Sequence, residues 1–167
     1  MIRLATLSDM PRILQIKDLA ISHMYHNQIF QWNESYPSEE ILKQDIGSNE
    51  LYVIEDQGLV VGFACINTNQ SPEYQSLTWT TAPKAYVVHR LAIDPTRTGK
   101  GYATQLMNFA ETHAKSQNTL AMRIDTFSQN TFAQQLFQKL GYTYIGEVFF
   151  DRKEEPFYCY EKHLGSF

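Results

Sequence analysis

Cysteine is scarce in this chain of 167 residues, which contains Cys65 and Cys159 and no C-x-x-C pair. Each lies inside an apolar run, so both are expected to be small buried hydrophobic residues. No apolar run approaches the ~20 residues that a membrane span needs. The N-terminus lacks the apolar segment of a secretion signal. We therefore expect a cytoplasmic protein without a bound metal and without membrane contact.

Positive charge is also in short supply, because 14 Lys and Arg stand against 18 Asp and Glu, for a net charge of -4. Nucleic-acid binding depends mainly on cationic contacts to phosphate. The composition therefore does not favour a nucleic-acid partner, and any phosphate site must be local. A mildly acidic surface is compatible with amine substrates. With 43% hydrophobic residues, the chain can bury one core, and we expect a single domain over residues 1–167.

Hydrophobic periodicity and turn residues predict the element order β-α-α-β-β-β-α-β-α-β-β. Ser8, Ser38 and Asn130 are expected to cap helices. The predicted strands span residues 2–6, 51–55, 59–66, 85–93, 120–126, 142–150 and 157–163, and residues 67–83 form a long loop or an irregular hairpin. The order predicts an α/β sandwich, with a mixed, largely antiparallel twisted sheet of about six to seven strands flanked by about four helices.

The stretch from Val87 to Ala103 is the most informative part of the sequence. A buried strand is broken by Asp94-Pro95, and a turn that contains Gly99 and Gly101 leads into an amphipathic helix. Turns of this kind direct several main-chain N–H groups and the positive end of a helix at one point. The sequence therefore predicts an anion site here, most naturally for a pyrophosphate.

Two familiar phosphate-binding loops do not match this stretch. A Walker A loop would require Gly in place of Asp94 and a hydroxyl residue in place of Gly101. A dinucleotide fingerprint that started at Gly99 would require Gly in place of Thr104. The residues thus support neither nucleotide hydrolysis nor NAD binding.

Two blocks of the chain resemble motifs of the GNAT superfamily of N-acetyltransferases, which bind acetyl-CoA. Residues 98–103, Thr-Gly-Lys-Gly-Tyr-Ala, are similar to the signature Q/R-x-x-G-x-G/A, with Thr98 in place of Gln or Arg and Arg97 one place earlier. Residues 130–142 are similar to N-x-x-A-x-x-L-Y-x-K-x-G-F. The element order agrees as well, so that the resemblance covers essentially the whole chain.

The resemblance implies acetyl-CoA as co-substrate and a set of residues that hold it. Small residues let the pyrophosphate approach the main chain, and the pantetheine arm pairs with the edge of the preceding strand. Arg97 and Lys100 either contact phosphate or are simply solvated, and Asn130 either caps its helix alone or also reaches the CoA arm. The expected cofactor-binding residues are Leu91, Ile93, Arg97, Thr98, Gly99, Lys100, Gly101, Tyr102, Ala103, Thr104, Asn130 and Phe137.

The general acid and base are less well defined by the sequence. The family often uses a Tyr to protonate the leaving thiolate, and the corresponding residue here is Phe137. Tyr142 or Tyr144, a water molecule, or no dedicated acid are the alternatives. His89, on the strand before the loop, is the candidate base; the alternative is a hydrogen-bonded core histidine.

The acceptor pocket is expected to involve residues 25–37 and 67–83. The aromatic residues of these segments either line that pocket, as a wall for a cation or an apolar acceptor, or anchor the loops to the core; they are Trp32, Tyr36, Tyr74 and Trp79. Asp125 either pairs with Arg123 or Arg90, or lines the cleft as a substrate-binding residue.

The main hypothesis is therefore an acetyl-CoA-dependent N-acetyltransferase, in which a primary amine of a small molecule or peptide attacks directly in a ternary complex. A non-catalytic CoA-binding sensor and an interaction module on the same fold are the alternatives. The sequence leaves the acceptor and the oligomeric state open, a homodimer included.

Overall fold

The strands follow the order β1-β2-β3-β4-β5-β7-β6 in a computed structural model that describes residues 1–165. The strands are β1 Ile2–Leu4, β2 Leu51–Asp56, β3 Leu59–Asn67, β4 Tyr86–Ile93, β5 Ala121–Phe127, β6 Thr143–Val148 and β7 Phe157–His163. The helices are α1 Met10–His26, α2 Glu39–Gly47, α3 Tyr102–Ser116 and α4 Thr131–Lys139. Ser166 and Phe167, the end of the predicted domain, lie outside the described residues.

The sheet is mixed and mostly antiparallel, as the sequence predicts. β2 pairs with both β1 and β3 antiparallel, and β7 pairs in the same way with β5 and β6. β4 and β5 pair in parallel, with Tyr86 opposite Met122. The predicted fold class, strand number and element order are confirmed.

Two compact units can be distinguished along the chain. The first unit comprises Met1–Ile66 and His89–Phe109, and the second comprises Asn67–Val88 and the chain from Ala110 onward. Each unit thus draws on two separate stretches of sequence. The single domain over residues 1–167 stays a prediction.

The core of the first unit lies between helices α1 and α2 and the strands of that unit. Ile13 and Ile16 of α1 and Leu42 of α2 are fully buried, as the helical spacing of these apolar residues predicts. Trp32 stacks on Phe63 of β3, with the ring centroids 6.5 Å apart. None of the helices described is both long and apolar enough to cross a membrane.

The helix starts show which capping predictions hold. Ser38 accepts a hydrogen bond from the N–H of Ile41 at 3.1 Å, so its predicted cap of α2 is confirmed. The predicted cap at Ser8 is wrong, because Ser8 lies inside a 3₁₀ turn over Leu7–Asp9 that precedes α1. The carboxylate of Asp9 instead accepts the N–H of Thr6 at 2.8 Å.

The core of the second unit is aromatic and includes part of the predicted loop 67–83. Tyr74, in a 3₁₀ turn over Pro72–Ser76, is 1% exposed and packs with Phe127, Phe157 and Cys159. Residues 67–83 are thus a packed segment over one face of β5 and β7. Both cysteines are buried and free, as predicted.

Candidate active site

A buried aspartate fixes the turn that follows β4. Asp94 is 3% exposed, and one carboxylate oxygen accepts both the N–H of Thr96, at 2.9 Å, and its hydroxyl, at 2.7 Å. The other oxygen accepts a 2.6 Å hydrogen bond from Nη2 of Arg12, whose Nε donates to the Val60 carbonyl. Burial raises the pKa of Asp94, but the hydrogen bonds from Thr96 and Arg12 outweigh it and hold the pKa below its usual value. The base of the turn is therefore rigidly held.

The tip of the turn has the conformation that the glycines suggest. Gly99 and Gly101 have φ values of +82° and +75°, and a Cβ at either position would meet nothing within 4 Å. Glycine is therefore favoured by backbone conformation and not by crowding from the protein. Among residues 1–165, no acceptor is found for the main-chain N–H groups from Thr98 to Thr104. These donors remain available at the start of α3.

The side chains around this turn differ in how firmly they are held. Tyr102, the first residue of α3, is buried, and its hydroxyl donates to the carboxylate of Asp56 at the end of β2. This hydrogen bond raises the pKa of Tyr102. Lys100 is exposed, and Nε of Arg97 lies 4.0 Å from an oxygen of Asp94. Both cations therefore lie at the surface of the turn.

The strand before the turn contains a residue in an unusual backbone conformation. Arg90 has a φ of +52°, in the left-handed region that non-glycine residues rarely adopt. Regular side-chain alternation therefore does not extend through Arg90 to His89, which is half-buried. Ile93 packs over β3, because a Cβ on Gly62 would lie 2.5 Å from its Cδ1. Ala92 faces the helical core.

The Arg90 side chain is held by a carboxylate of α2. Its Nε and Nη2 donate to the two oxygens of Asp45 at 2.8 and 2.9 Å, and both side chains are largely buried. Nη1 lies 3.4 Å from the hydroxyl of Tyr36. Trp32 is 4% exposed in the core of the same unit. These placements favour the anchoring alternative for Trp32 and place Tyr36 beside the ion pair.

In the second unit, Asn130 and Phe137 have clear structural roles. Asn130 caps α4 by accepting the N–H of Ala133 at 3.1 Å, as predicted. Phe137 is 3% exposed, and its ring lies 5.7 Å from that of Tyr160 and 6.2 Å from that of Tyr142. The roles of Asn130 and Phe137 toward a cofactor stay predictions.

Tyr142, the candidate acid, is part of the same core. It is 4% exposed, and its hydroxyl donates to Glu111 at 3.0 Å. Burial and the nearby carboxylate raise its pKa well above the usual value. Lys162 donates to the same carboxylate at 2.8 Å. The Tyr142 hydroxyl thus has a structural hydrogen bond to Glu111, and its role in catalysis stays a prediction.

Asp125 pairs neither with Arg123 nor with Arg90, so those expected pairings are wrong. Its carboxylate accepts a 2.5 Å hydrogen bond from the hydroxyl of Tyr74. Arg90 is bound to Asp45, and Arg123 is bound to residues of the segment 67–83. Burial raises the pKa of Asp125, and the Tyr74 hydrogen bond partly offsets this. The partner of Asp125 is thus a buried phenol instead of an arginine, and its role as a substrate-binding residue stays a prediction.

Trp79 lines a cavity of about 650 Å³ in the second unit. Its indole N–H donates to the carbonyl of Tyr74 at 2.9 Å, so that Trp79 and Asp125 are linked through Tyr74. The guanidinium of Arg123 lies over the Trp79 ring, 4.4 Å from its centroid. The protein thus places a cation of its own on this ring.

Glu161 of β7 holds the end of the segment 67–83. It is 3% exposed and accepts hydrogen bonds from the N–H groups and hydroxyls of Thr80 and Thr81. Burial raises the pKa of Glu161, but these hydrogen bonds outweigh it and leave the pKa below its usual value. The carboxylate form therefore stabilises the fold.

We expect Glu161→Gln to lower the free energy of unfolding by about 2 kcal/mol at pH 7, because hydrogen bonds to a charged acceptor are lost. A carboxyl with a lowered pKa stabilises the folded state above its unfolded pKa and loses that effect as the pH falls through its folded pKa. The difference between wild type and variant should therefore shrink in urea titrations at progressively lower pH. A difference that grows on acidification would contradict the assignment.

Four side chains that shape these regions are not indicated by the sequence patterns. Arg12, Asp45 and Glu161 act on partners far away in sequence, and no local pattern indicated them. Asp56 is the last residue of β2, and no local pattern distinguishes it from a turn residue. The sequence does contain a local indication for Asp94, because an aspartate before a proline is typical of a turn start, and Asp94 caps the turn that it begins.

Comparison with known proteins places these features in a family. The sequence model of the Acetyltransferase (GNAT) family matches residues 13–142. A Staphylococcus aureus Mu50 structure assigned as an acetyltransferase is 31% identical, with a TM-score of 0.77 over 99% of each chain. A structure of yncA from Salmonella typhimurium, solved with its cofactor acetyl-CoA, is 18% identical, with a TM-score of 0.72 over 100% of this chain and 95% of the other. The latter likeness shows the fold alone.

One curated relative has a named substrate. Streptothricin acetyltransferase from Escherichia coli is 33% identical over 69 residues, which are 41% of this chain and 40% of that enzyme. The match thus spans less than half of the relative.

Proposed function

The chain belongs to the GNAT family of acetyltransferases, and from this premise we propose that it transfers the acetyl group of acetyl-CoA to a primary amine by direct attack in a ternary complex. The acceptor is a small molecule or a peptide amine. The relative that acetylates streptothricin matches over too short a segment to indicate the acceptor here.

The observation that carries the proposal is the set of main-chain donors from Thr98 to Thr104. The protein itself does not use these N–H groups, and two left-handed glycines among them expose the backbone. A pyrophosphate accepts several hydrogen bonds at once and gains from the positive end of α3. Arg97 and Lys100 lie at the surface of the same turn and add positive charge. The residues present therefore fit acetyl-CoA.

When bound, acetyl-CoA supplies an acetyl group activated as a thioester, and the thiolate of CoA is a fair leaving group at neutral pH. The pairing of β4 with β5 covers Tyr86 and Val87, and the main-chain groups at Leu91 and Ile93, beyond that pairing, need no particular side chain to hold an extended arm. The left-handed backbone at Arg90 interrupts the regular strand there, and we assign to a main-chain N–H at this irregularity the stabilisation of negative charge on the thioester carbonyl oxygen.

Proton transfer is assigned to His89 and solvent. His89 neighbours the irregular residue of β4 and is half-buried, and its imidazole is the side chain to which we assign the proton of the attacking amine. Tyr142 remains the second candidate for the acid. Its hydroxyl is already bound to Glu111, which favours a departing thiolate without a dedicated acid.

The proposal is tested by binding and turnover together. Acetyl-CoA at about 100 times its Kd should stabilise the protein by about 2.7 kcal/mol. For a chain of this length, each kcal/mol of stabilisation raises Tm by about 2–4 °C. A panel of polyamines, aminoglycosides, amino acids and peptides should then include an amine that accelerates release of free thiol and yields the acetylated product.

Two results would contradict the proposal in different ways. Stabilisation by acetyl-CoA without thiol release for any amine would favour a CoA-binding sensor, for which Phe137 in place of a Tyr is the supporting observation. No change in Tm with CoA or acetyl-CoA would indicate an interaction module that has kept only the fold.

A further inference from the structure

The side chain of Asp56 contacts a part of the first unit that lies far from it in sequence. Asp56 is half-buried at the end of β2, opposite Leu59 across the hairpin to β3. Gln57 and Gly58, between them, have φ values of +53° and +79°, the left-handed pair typical of a tight two-residue hairpin. The hairpin is thus closed by its backbone, and the Asp56 carboxylate instead accepts a hydrogen bond from the hydroxyl of Tyr102.

This hydrogen bond is one of two contacts that hold the start of α3 along β2. Tyr102 is the first residue of α3 and is 7% exposed. Further along the helix, the ring of Phe109 lies 5.0 Å from that of Tyr52 in β2. A helix rises about 10 Å from Tyr102 to Phe109, and a strand rises about 13 Å from Tyr52 to Asp56. The two contacts therefore match in spacing, and they fix the first turn of the helix on the strand.

The turn from Thr98 to Gly101 is consequently held at both ends. Before it, the carboxylate of Asp94 accepts the N–H of Thr96 at 2.9 Å and its hydroxyl at 2.7 Å. After it, the Tyr102 hydroxyl donates to Asp56. Two of the residues between these anchors are glycines, which lose more conformational freedom on ordering than any other residue. If one anchor were released, a ligand would have to order the turn at a cost in affinity.

The charge of Asp56 makes this role distinguishable from direct contact with a ligand. The hydrogen bond to Asp56 raises the pKa of Tyr102, and the positive charge of Arg97 acts in the opposite direction. Asp56 is therefore close to the turn, where a carboxylate repels a phosphate. Relief of that repulsion would tighten binding when the carboxylate is removed, whereas loss of an anchor would weaken it.

We propose that Asp56 is a positioning residue for acetyl-CoA, which acts through Tyr102 to hold the main-chain N–H groups of the turn in the arrangement that receives the diphosphate. The inference rests on the proposed function, because acetyl-CoA is the ligand assigned to this turn. Its effect belongs to the preorganisation of the turn, so it should appear in the affinity for acetyl-CoA and in the mobility of the turn without ligand.

The first test measures the Kd of acetyl-CoA by calorimetric titration of the full chain. Asp56→Ala and Tyr102→Phe should each weaken binding about tenfold, because each removes the same charge-assisted hydrogen bond. The double variant should bind no more weakly than about tenfold, since the second change has nothing further to remove. Asp56→Asn keeps an acceptor for the hydroxyl and should stay within about threefold of wild type.

Glu55→Ala is the matched control. Glu55 precedes Asp56 in β2, and its carboxylate accepts hydrogen bonds from Arg3 at 3.0 and 2.7 Å. The variant therefore loses the same charge and comparable hydrogen bonds from the same strand, but none directed at α3. It should change the Kd of acetyl-CoA by less than about twofold.

The second test needs no ligand and follows the backbone of residues 98–101 by ¹⁵N relaxation. The order parameters should be near about 0.85 in wild type and fall toward about 0.6 in Asp56→Ala and Tyr102→Phe. They should stay at the wild-type value in Glu55→Ala and Asp56→Asn. Tyr102→Phe removes a single hydroxyl, so it decides the matter if Asp56→Ala does not fold.

Three binding results would overturn the proposal. They are unchanged or tighter binding by Asp56→Ala or Tyr102→Phe, a loss of about 100-fold in the double variant, and a loss in Glu55→Ala equal to that in Asp56→Ala. Failure of the wild type to bind acetyl-CoA would refute the proposed function instead. Unchanged order parameters in Tyr102→Phe would refute the role of Asp56 whether or not acetyl-CoA binds.

Discussion

Replacement of Gly101 by valine is expected to abolish the stabilisation of the protein by acetyl-CoA. Gly101 has a φ of +75°, and a side chain there would project into open space beside the free N–H groups of the turn. A β-branched residue both strains this conformation, by about 1–2 kcal/mol, and blocks close approach of a phosphate. We expect the affinity for acetyl-CoA to fall about 100-fold, or about 2.7 kcal/mol, in calorimetric titrations.

Gly141 provides the matched control. It ends α4 with a φ of +91°, and a Cβ there would meet only the end of the Lys162 side chain, at 3.6 Å. Gly141→Val should therefore lose similar stability but keep its response to acetyl-CoA. A full response of Gly101→Val would refute the phosphate-loop assignment, and an equal loss in both variants would attribute the effect to strain in the fold.

Removal of the Asp45 carboxylate is expected to cause the largest loss of stability. Asp45→Ala leaves the Arg90 guanidinium buried without its two charged hydrogen bonds. Loss of one partner of a buried ion pair costs about 3–5 kcal/mol, because the remaining charge is uncompensated. Urea unfolding at pH 7 should show this loss as a lower midpoint with an unchanged slope.

The double variant Asp45→Ala/Arg90→Met separates two contributions to stability: the loss of the ion pair and the cost of leaving the Arg90 charge buried and unpaired. Because no charge remains buried, this variant should recover much of the stability that Asp45→Ala loses. A cost of less than about 1 kcal/mol for Asp45→Ala would mean that the guanidinium finds other partners. The left-handed backbone of Arg90 would then require another explanation.

The element order was predictable because it depends on local patterns. Helix α4, for example, is set by the Asn130 cap, by apolar residues at helical spacing and by Gly141 after its end, all within a short window. The start of α1 was misplaced because Thr6, Ser8 and Asp9 are all good capping residues. The hydrogen bond from Thr6 to Asp9 decided among them.

The candidate site was predictable only where it is contiguous. The turn from Thr98 to Thr104 is one short segment, and its glycines define its backbone directly. The side chains that hold the neighbouring structure come from far away in sequence, as Arg12 lies 82 residues from Asp94 and Asp45 lies 45 residues from Arg90. Such pairs follow from the packing of helices on the sheet. The hydrophobic pattern of one segment does not indicate which distant side chains it will contact.

The pairing of Asp125 was mispredicted because the packing of the segment 67–83 was not recognised. The two arginines considered for it were already engaged elsewhere, and its partner Tyr74 lies in a stretch that reads as a polar loop. That stretch anchors itself through the buried Tyr74, and it supplies both the phenol that binds Asp125 and the acceptors that bind Arg123.

The contact between Arg12 and Asp94 also constrains how this protein can vary. Arg12 donates the shortest charged hydrogen bond to the buried Asp94 carboxylate, so a change at Arg12 alone should leave that carboxylate poorly compensated and loosen the turn. Homologous sequences should therefore exchange both residues in concert or retain both, so that variation in the first helix is expected to follow variation in the turn after β4.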